Sequence, residues 1–328
     1  MNILNQLRSH TCLVADTADF DQLQTLKPQD VTTNPSLVFK VVSKTKNQFL
    51  LRDVVVHSLL KNEQNIFPAN TDVAETVDRL LVRVGYMLLQ HIPGRVSVEV
   101  DPRLSFDYEA ITHRARRLAA MFQAVGVPAE RVLIKIAATW EGIQAAKQLE
   151  LEGISTNLTL VFSFAQAVAC AQAKVQLISP FVGRICDWHK KAAGAAWDEE
   201  AHSGLNDPGV KSVHAIYNYF KHFDIPTEIM GASFRNLGQV LALSGCDLLT
   251  ISPELIQQLA EYEQSVPAPF PALSLQAAKA MDIKHVEFDE ASFRWALNED
   301  PMATEKLAEG ICAFAADTRK LEALIQAH

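Results

Sequence analysis

Lys135 is the one polar side chain in the run Val132-Leu133-Ile134-Lys135-Ile136-Ala137-Ala138. A lone lysine in a strand is ordinarily a solvated or edge residue, but this one lies between two isoleucines. An amine removed from water has less to stabilise its ammonium form, and the neutral amine is the nucleophile that attacks a ketone to give a Schiff base. Once protonated, that imine is an electron sink for cleavage of the neighbouring C–C bond. The cleavage needs a base to take the proton from the hydroxyl beyond the bond. Asp16, closing Thr11–Asp16, and Glu99, within Val96–Asp101, are the candidates. Amides and hydroxyls such as Asn34, Asn157 and Ser179 suit a polyol, each of whose hydroxyls needs a donor and an acceptor.

A second group of residues points to phosphate. In Met230-Gly231-Ala232-Ser233-Phe234-Arg235-Asn236, a glycine permits close backbone approach, Ser233 supplies a hydroxyl and Arg235 a planar fork for an oxyanion. Arg184, following Ser179-Pro180-Phe181-Val182-Gly183, offers a second guanidinium. Without further support the same stretch also reads as an ordinary surface loop. The sequence has no P-loop, GxGxxG or HExxH spacing.

The elements that must position these groups follow from periodicity. Strand-like runs are expected at Thr11–Asp16, Asp30–Asn34, Val96–Asp101, Val132–Ala138, Ser155–Val161, Leu177–Val182, Thr227–Ser233 and Leu248–Pro253. Helical spacing lies between them, as at Tyr108–Val125, Thr139–Leu151, Phe164–Ala173 and Val213–Phe223. Repeated strand–helix alternation implies a parallel sheet with right-handed crossovers. Eight repeats favour an α/β fold closed as a single (β/α)₈ TIM barrel spanning 1–328, with an open doubly wound sheet as the alternative. Additional helices are expected: a pair either side of Phe67-Pro68-Ala69-Asn70, and a C-terminal extension over Pro301–Ala327 with Pro301 in its first turn. Trp188–Gly209 reads as a surface loop.

Fully buried parallel strands should be nearly continuous in apolar residues, and several of these alternate instead. The apolar sets belong against the helices, so Asp16, Asn34, Glu99, Lys135, Asn157, Thr159 and Ser179 are expected to point into the barrel. Unpaired, each would cost a few kcal/mol to bury. Structural readings stand beside the functional ones. Asp16 has the chemistry of a helix cap, Glu99 could form a simple ion pair with Lys135, and Asn157 and Thr159 could be satisfied core polar groups.

Composition narrows the function further. The 328 residues carry 30 Lys+Arg against 38 Asp+Glu, a net charge of −8, which disfavours a general nucleic-acid binder. An anionic substrate remains possible where cations concentrate locally. The five cysteines show no CxxC spacing, so no zinc or redox site is signalled and reduced thiols in the cytoplasm are expected. The N-terminus lacks the apolar core of a secretory signal. The uncharged stretch 153–173 is long enough to span a bilayer, but its serines, threonines, asparagine and glutamines suit a buried strand leading into a helix.

At these residues the chain resembles the transaldolase family, most closely the bacterial enzymes of the pentose phosphate pathway. The resemblance is carried by VADTADF at 14–20, DVTTNPSLV at 30–38, PGRVSVEVDPRLS at 93–105 and RVLIKIAATWEGIQAAKQLE at 131–150. It continues through NLTLVFSFAQA at 157–167, ISPFVGRICDW at 178–188, MGASFRN at 230–236 and DPMATEKLAEGI at 300–311. It implies a metal-independent, cofactor-free (β/α)₈ enzyme that forms a Schiff base on Lys135. The reaction implied moves a dihydroxyacetone unit from sedoheptulose 7-phosphate to glyceraldehyde 3-phosphate, giving erythrose 4-phosphate and fructose 6-phosphate. Asp16 resembles the acid/base at the C4 hydroxyl, and Glu99 with Thr159 the pair that positions a water. Asn34 and Asn157 resemble the residues that hold the three-carbon unit, Thr32 and Ser179 line the site, and Arg184, Ser233 and Arg235 match the phosphate ligands. A homodimer is also implied; no nucleic-acid or membrane partner is.

Departures are confined to Pro102, Cys186 and His189, which touch no catalytic group. Phe181 matches transaldolases, whereas the related fructose 6-phosphate aldolases have tyrosine there. A phenol would help a water take part in proton transfer and a phenyl ring cannot, so transfer is expected over simple aldol cleavage. A sugar-phosphate-binding protein without activity is the remaining alternative, disfavoured by Asp16, Glu99 and Lys135 occurring together.

Overall fold

The computed structural model describes residues 2–56, 73–262 and 269–327. Eight parallel strands close into a barrel in sequence order. They are β1 Cys12–Asp16, β2 Asp30–Thr32, β3 Val96–Glu99, β4 Val132–Ala137, β5 Thr156–Val161, β6 Leu177–Pro180, β7 Glu228–Gly231 and β8 Leu248–Ile251. Every expected strand is present, several shorter at their ends. Asn34 and Asp101 fall just outside β2 and β3 because each caps the turn that follows. Asn34 Oδ1 accepts from the Leu37 N–H at 2.9 Å, and Asp101 Oδ1 from the Arg103 N–H at 2.9 Å. Pro253, expected at the end of β8, instead opens the helix Pro253–Ala260.

Period-two alternation divides the barrel interior into layers. Val14, Leu133, Leu177, Met230 and Leu248 form a separate buried apolar cluster. Two positions further along the same strands lie Asp16, Lys135, Ser179, Ala232 and Thr250, all of which line one cavity. The lumen therefore has an apolar floor beneath a largely polar upper layer. The intervening residues, among them Ala15, Ile134, Ile136, Ile178 and Leu249, belong to the main core under the helices. Each fully buried leucine or isoleucine there contributes about 1.5–3 kcal/mol. A one-residue slip of β4 would put Lys135 into that apolar layer, so the core itself fixes the register.

The uncharged stretch 153–173 is β5 followed by the helix Phe164–Gln172, as its change of pattern predicts. Among the described residues no helix is long and apolar enough to cross a membrane. Phe67–Asn70 lies outside the described residues; helices Gln48–Val56 and Val73–Leu89 stand on either side. Trp188–Gly209 is not a single loop. Its first six residues complete the helix Gly183–Ala193, two short 3₁₀ turns follow, and Pro208 opens the helix Pro208–His222. Trp188 stays helical because it packs beside a small cluster under the C-terminal helix and donates from Nε1 to Glu305 Oε2 at 2.7 Å. Asp207 caps the next helix through the N–H groups of Gly209 and Val210.

The C-terminal helix runs Pro301–Gln326 with Asp300 as its cap, accepting from the Ala303 N–H at 2.9 Å. It is fastened across the barrel mouth. Ser36 donates to Asp317, and Arg103 bridges Asp101 and Glu322. Gly310 permits the close crossing over β5, since a Cβ there would lie 2.7 Å from Leu160 Cδ2. One turn later the same helix lowers Phe314 into the mouth, where it is buried.

Candidate active site

The register of three adjacent strands brings the central groups side by side. Glu99 on β3 pairs with Lys135 on β4, and Lys135 pairs with Asn157 on β5. Parallel partners point the same way, so all three face the lumen. Lys135 is 5% exposed and Glu99 3%, and Lys135 Nζ lies 3.4 Å from Glu99 Oε2. The same amine donates to the Thr33 carbonyl at 3.2 Å and stands 5.9 Å from the centre of the Phe314 ring. The expected ion pair is thus present, but it is longer than a close bidentate contact. Glu99 Oε2 and Thr159 Oγ1 are both buried without a hydrogen-bond partner among the described residues. Unsatisfied buried oxygens of this kind are uncommon in folded proteins.

Asp16 closes β1 beside Thr32 on β2, its register partner. Thr32 Oγ1 donates to Asp16 Oδ1 at 3.0 Å. Burial raises the Asp16 carboxyl above the ordinary aspartate range, against the opposing charge of Lys135, the Thr32 hydrogen bond and the charge of Arg184. Glu99 is raised for the same first reason, opposed by Lys135 and Arg184. Two carboxyls that hold protons more readily than usual therefore flank one buried amine.

The cavity above them has an empty volume of about 410 Å³, part of it continuous with solvent. Of the residues expected from the sequence, Asp16, Thr32, Asn34, Lys135, Thr159 and Ser179 line it, joined by Phe181, Arg184 and Ser233 at the outer side. Asn34 reaches it while its Oδ1 caps the next helix, which leaves the amide nitrogen available to a ligand. Glu99 and Asn157 do not line the open space. Asn157 is fully buried, donates from Nδ2 to Ser97 Oγ at 3.0 Å and accepts from Ser179 Oγ at 2.6 Å. It buttresses Ser179 and lies next to the amine.

The phosphate-type residues gather at the junction of the loops after β6 and β7. Backbone bonds from Val182 to Ala232 and from Gly183 to Ser233, each 2.9 Å, tie the loops together. Gly183 is required by this approach, since a Cβ would sit 2.4 Å from the Ser233 carbonyl oxygen. Ser233 adopts a left-handed φ of 62°. Arg235 is at the rim: its side chain is 43% exposed, donates to Asp187 Oδ2 at 2.7 and 3.1 Å and reaches Ser233 Oγ at 3.2 Å. Arg184 lies over the faces of Phe181 and Phe314, at 5.1 and 5.5 Å from the ring centres. Burial and the neighbouring Arg235 both disfavour its charge. Arg235 is therefore near enough for its charge to be felt at Arg184, while its own guanidinium is paired with Asp187.

Sequence reasoning missed three contributors. Thr250 lines the cavity from β8, and Ser97 holds Asn157. Both obey the same alternation that exposed Lys135 and were legible on that ground. Phe314 had no such signal, because on the C-terminal helix it repeats with Ile311 and Leu321 as an ordinary core stripe.

Comparison with known proteins gives a consistent result. Residues 13–325 match the family described as transaldolase/fructose-6-phosphate aldolase. A protein of Methylibium petroleiphilum named transaldolase is 57% identical over 324 residues, covering 99% of this chain and 98% of that protein.

Proposed function

This chain belongs to the transaldolase/fructose-6-phosphate aldolase family and is an enzyme of the transaldolase type, and from that membership we propose that it works through an imine on Lys135. The proposed donor is sedoheptulose 7-phosphate and the acceptor glyceraldehyde 3-phosphate, with erythrose 4-phosphate and fructose 6-phosphate as products. That places it in the non-oxidative pentose phosphate pathway of the cytoplasm. The observation that carries the reading is a lysine amine 5% exposed inside a closed barrel, facing a cavity whose wall includes Asp16.

The chemistry runs as follows. Lys135 Nζ adds to the ketose C2 carbonyl and water leaves, with Glu99 and Thr159 moving the protons. Thr159 Oγ1 makes no hydrogen bond among the described residues and Glu99 Oε2 has only the 3.4 Å ion pair with Lys135, so each has capacity left for a water, which supports this role. Asp16 takes the proton of the C4 hydroxyl, the C3–C4 bond breaks and its electron pair passes into the iminium. The aldose departs and the three-carbon enamine stays covalently held. After the acceptor aldehyde binds, the new C–C bond forms and Asp16 returns the proton to the resulting alkoxide. A carboxyl raised by burial suits a group that must both take and return a proton. The buried pair Asn157 and Ser179, with Asn34 opposite, supports binding of the dihydroxyacetone hydroxyls.

Phe181 supports transfer over release, because its ring contacts Phe162 at 5.3 Å and Arg184 and brings no hydroxyl to the cavity. The test is a coupled assay with fructose 6-phosphate, with and without erythrose 4-phosphate. Turnover that requires the acceptor supports transfer; turnover without it identifies an aldolase; none at all identifies a binding protein.

The phosphate assignment has its own test. Arg235→Ala is expected to raise KM for phosphorylated substrates roughly tenfold, the lower end for a charge-assisted contact because the side chain is partly solvated. The effect on kcat should be smaller. An unaltered KM removes Arg235 from the phosphate site.

A further inference from the structure

Thr250 has no part in the chemistry above, yet it is 4% exposed and lines the cavity beside Asp16. Strands β8 and β2 flank β1, with Thr250 in register with Val14 and Thr32 in register with Asp16. Inside the lumen the two threonine hydroxyls meet, Oγ1 to Oγ1, at 2.6 Å. Thr32 Oγ1 also donates to Asp16 Oδ1 at 3.0 Å.

A threonine hydroxyl has a single proton. An ionised carboxylate can only accept, so with Asp16 charged the Thr32 proton is committed to it. The proton in the Thr250–Thr32 contact must then come from Thr250. The chain runs one way, from Thr250 through Thr32 to Asp16. When Asp16 is protonated it can donate, the Thr32 hydroxyl is free to turn, and the direction can reverse. Chains of this kind polarise one another, so the outer hydroxyl strengthens the bond at the carboxylate.

We propose that Thr250 is a positioning residue for Asp16: by donating to Thr32 it keeps the Thr32 proton on the carboxylate in the form that accepts the substrate's proton. The inference rests on the assignment of Asp16 as the acid/base group. The charged groups facing Asp16 are Lys135 from β4 and Arg184 from the helix Gly183–Ala193, with Glu99 on β3 beside Lys135. None of them is altered by a change at Thr250.

The test is the pH dependence of kcat in Thr250→Val, which keeps the shape and removes the donor. The acid limb is expected to move up by about half to one pH unit, with kcat on that limb falling about three- to tenfold and KM within about twofold of wild type. Thr250→Ser should restore the wild-type limb. In a Thr32→Val background the Thr250→Val change should add no further shift, because the link between them is already cut. A merely structural role would lower Tm and leave the limb where it was. If Thr250→Val does not fold, Thr250→Ala is read in the same way, with borohydride trapping of the ketose as the check that the site is assembled. With the acid limb shown to belong to Asp16 by its loss in Asp16→Ala, a wild-type limb in these variants, or an undiminished shift in the Thr32→Val background, overturns the inference alone. An acid limb that persists in Asp16→Ala, or absence of a trapped adduct in the unmodified enzyme, overturns the underlying reading and this inference with it.

Discussion

Lys135→Ala is expected to abolish the borohydride-stable adduct with fructose 6-phosphate and to lower kcat by roughly four orders of magnitude or more, the scale seen when a covalent nucleophile is removed. The cause is local. Among the described residues Lys135 is the one amine lining the cavity, and it is held by the Thr33 carbonyl and by Glu99. Removing it also leaves Glu99 buried opposite an apolar methyl. That carboxyl, already raised by burial, loses its first opposing charge and would hold its proton more firmly still. The protein should therefore stay folded by taking up a proton instead of carrying an uncompensated charge. Mass spectrometry of the reduced sample, followed by peptide mapping, reads the result. Unchanged labelling would show that another amine forms the imine.

Asp16→Ala separates imine formation from bond cleavage. The variant should keep the trapped adduct and lose about 10²–10⁴-fold in kcat, the range for a positioned general base. The pH profile sharpens the expectation. Asp16 must be ionised to accept a proton, and burial raises its carboxyl, so activity should be present above that raised value and be lost as pH falls through it. The acid limb of kcat should accordingly lie above the ordinary aspartate value of about 3.9. Asp16→Ala should remove that limb from what activity remains. Normal turnover in the variant would mean that a different base does the work.

The central site was legible because the barrel makes demands that a sequence must meet openly. A lysine between Ile134 and Ile136 has no comfortable place on the helix-facing side, so alternation alone assigns it to the lumen. The same alternation assigns Asp16, Glu99, Asn157 and Ser179 to the lumen, puts Ser97 on the face of Glu99 without giving it a role, and applies equally to Thr250 on β8. The structural alternatives were partly right as well: Glu99 does pair with Lys135, and Asn157 is satisfied by Ser97 and Ser179. These contacts hold the groups in place and do not compete with their proposed roles. What alternation could not supply was tertiary. Phe314 faces the site only because Gly310 lets its helix cross β5 closely. The helical part of Trp188–Gly209 carries a contact from Trp188 to Glu305, more than a hundred positions away. Arg235 turned out to be tied to Asp187 at the rim, a pairing that its own segment does not announce.

The barrel closes by pairing β1 with β8, and the helix Pro301–Gln326 then covers its mouth. Asp16 thus emerges from the ribosome well before Phe314. At the usual elongation rate of about 5–20 residues per second, roughly 15–60 s separate the two. Until β8 follows, the nascent chain must carry an incomplete sheet whose unpaired edges invite wrong partners. The cavity has its full lining only once Phe314 has followed.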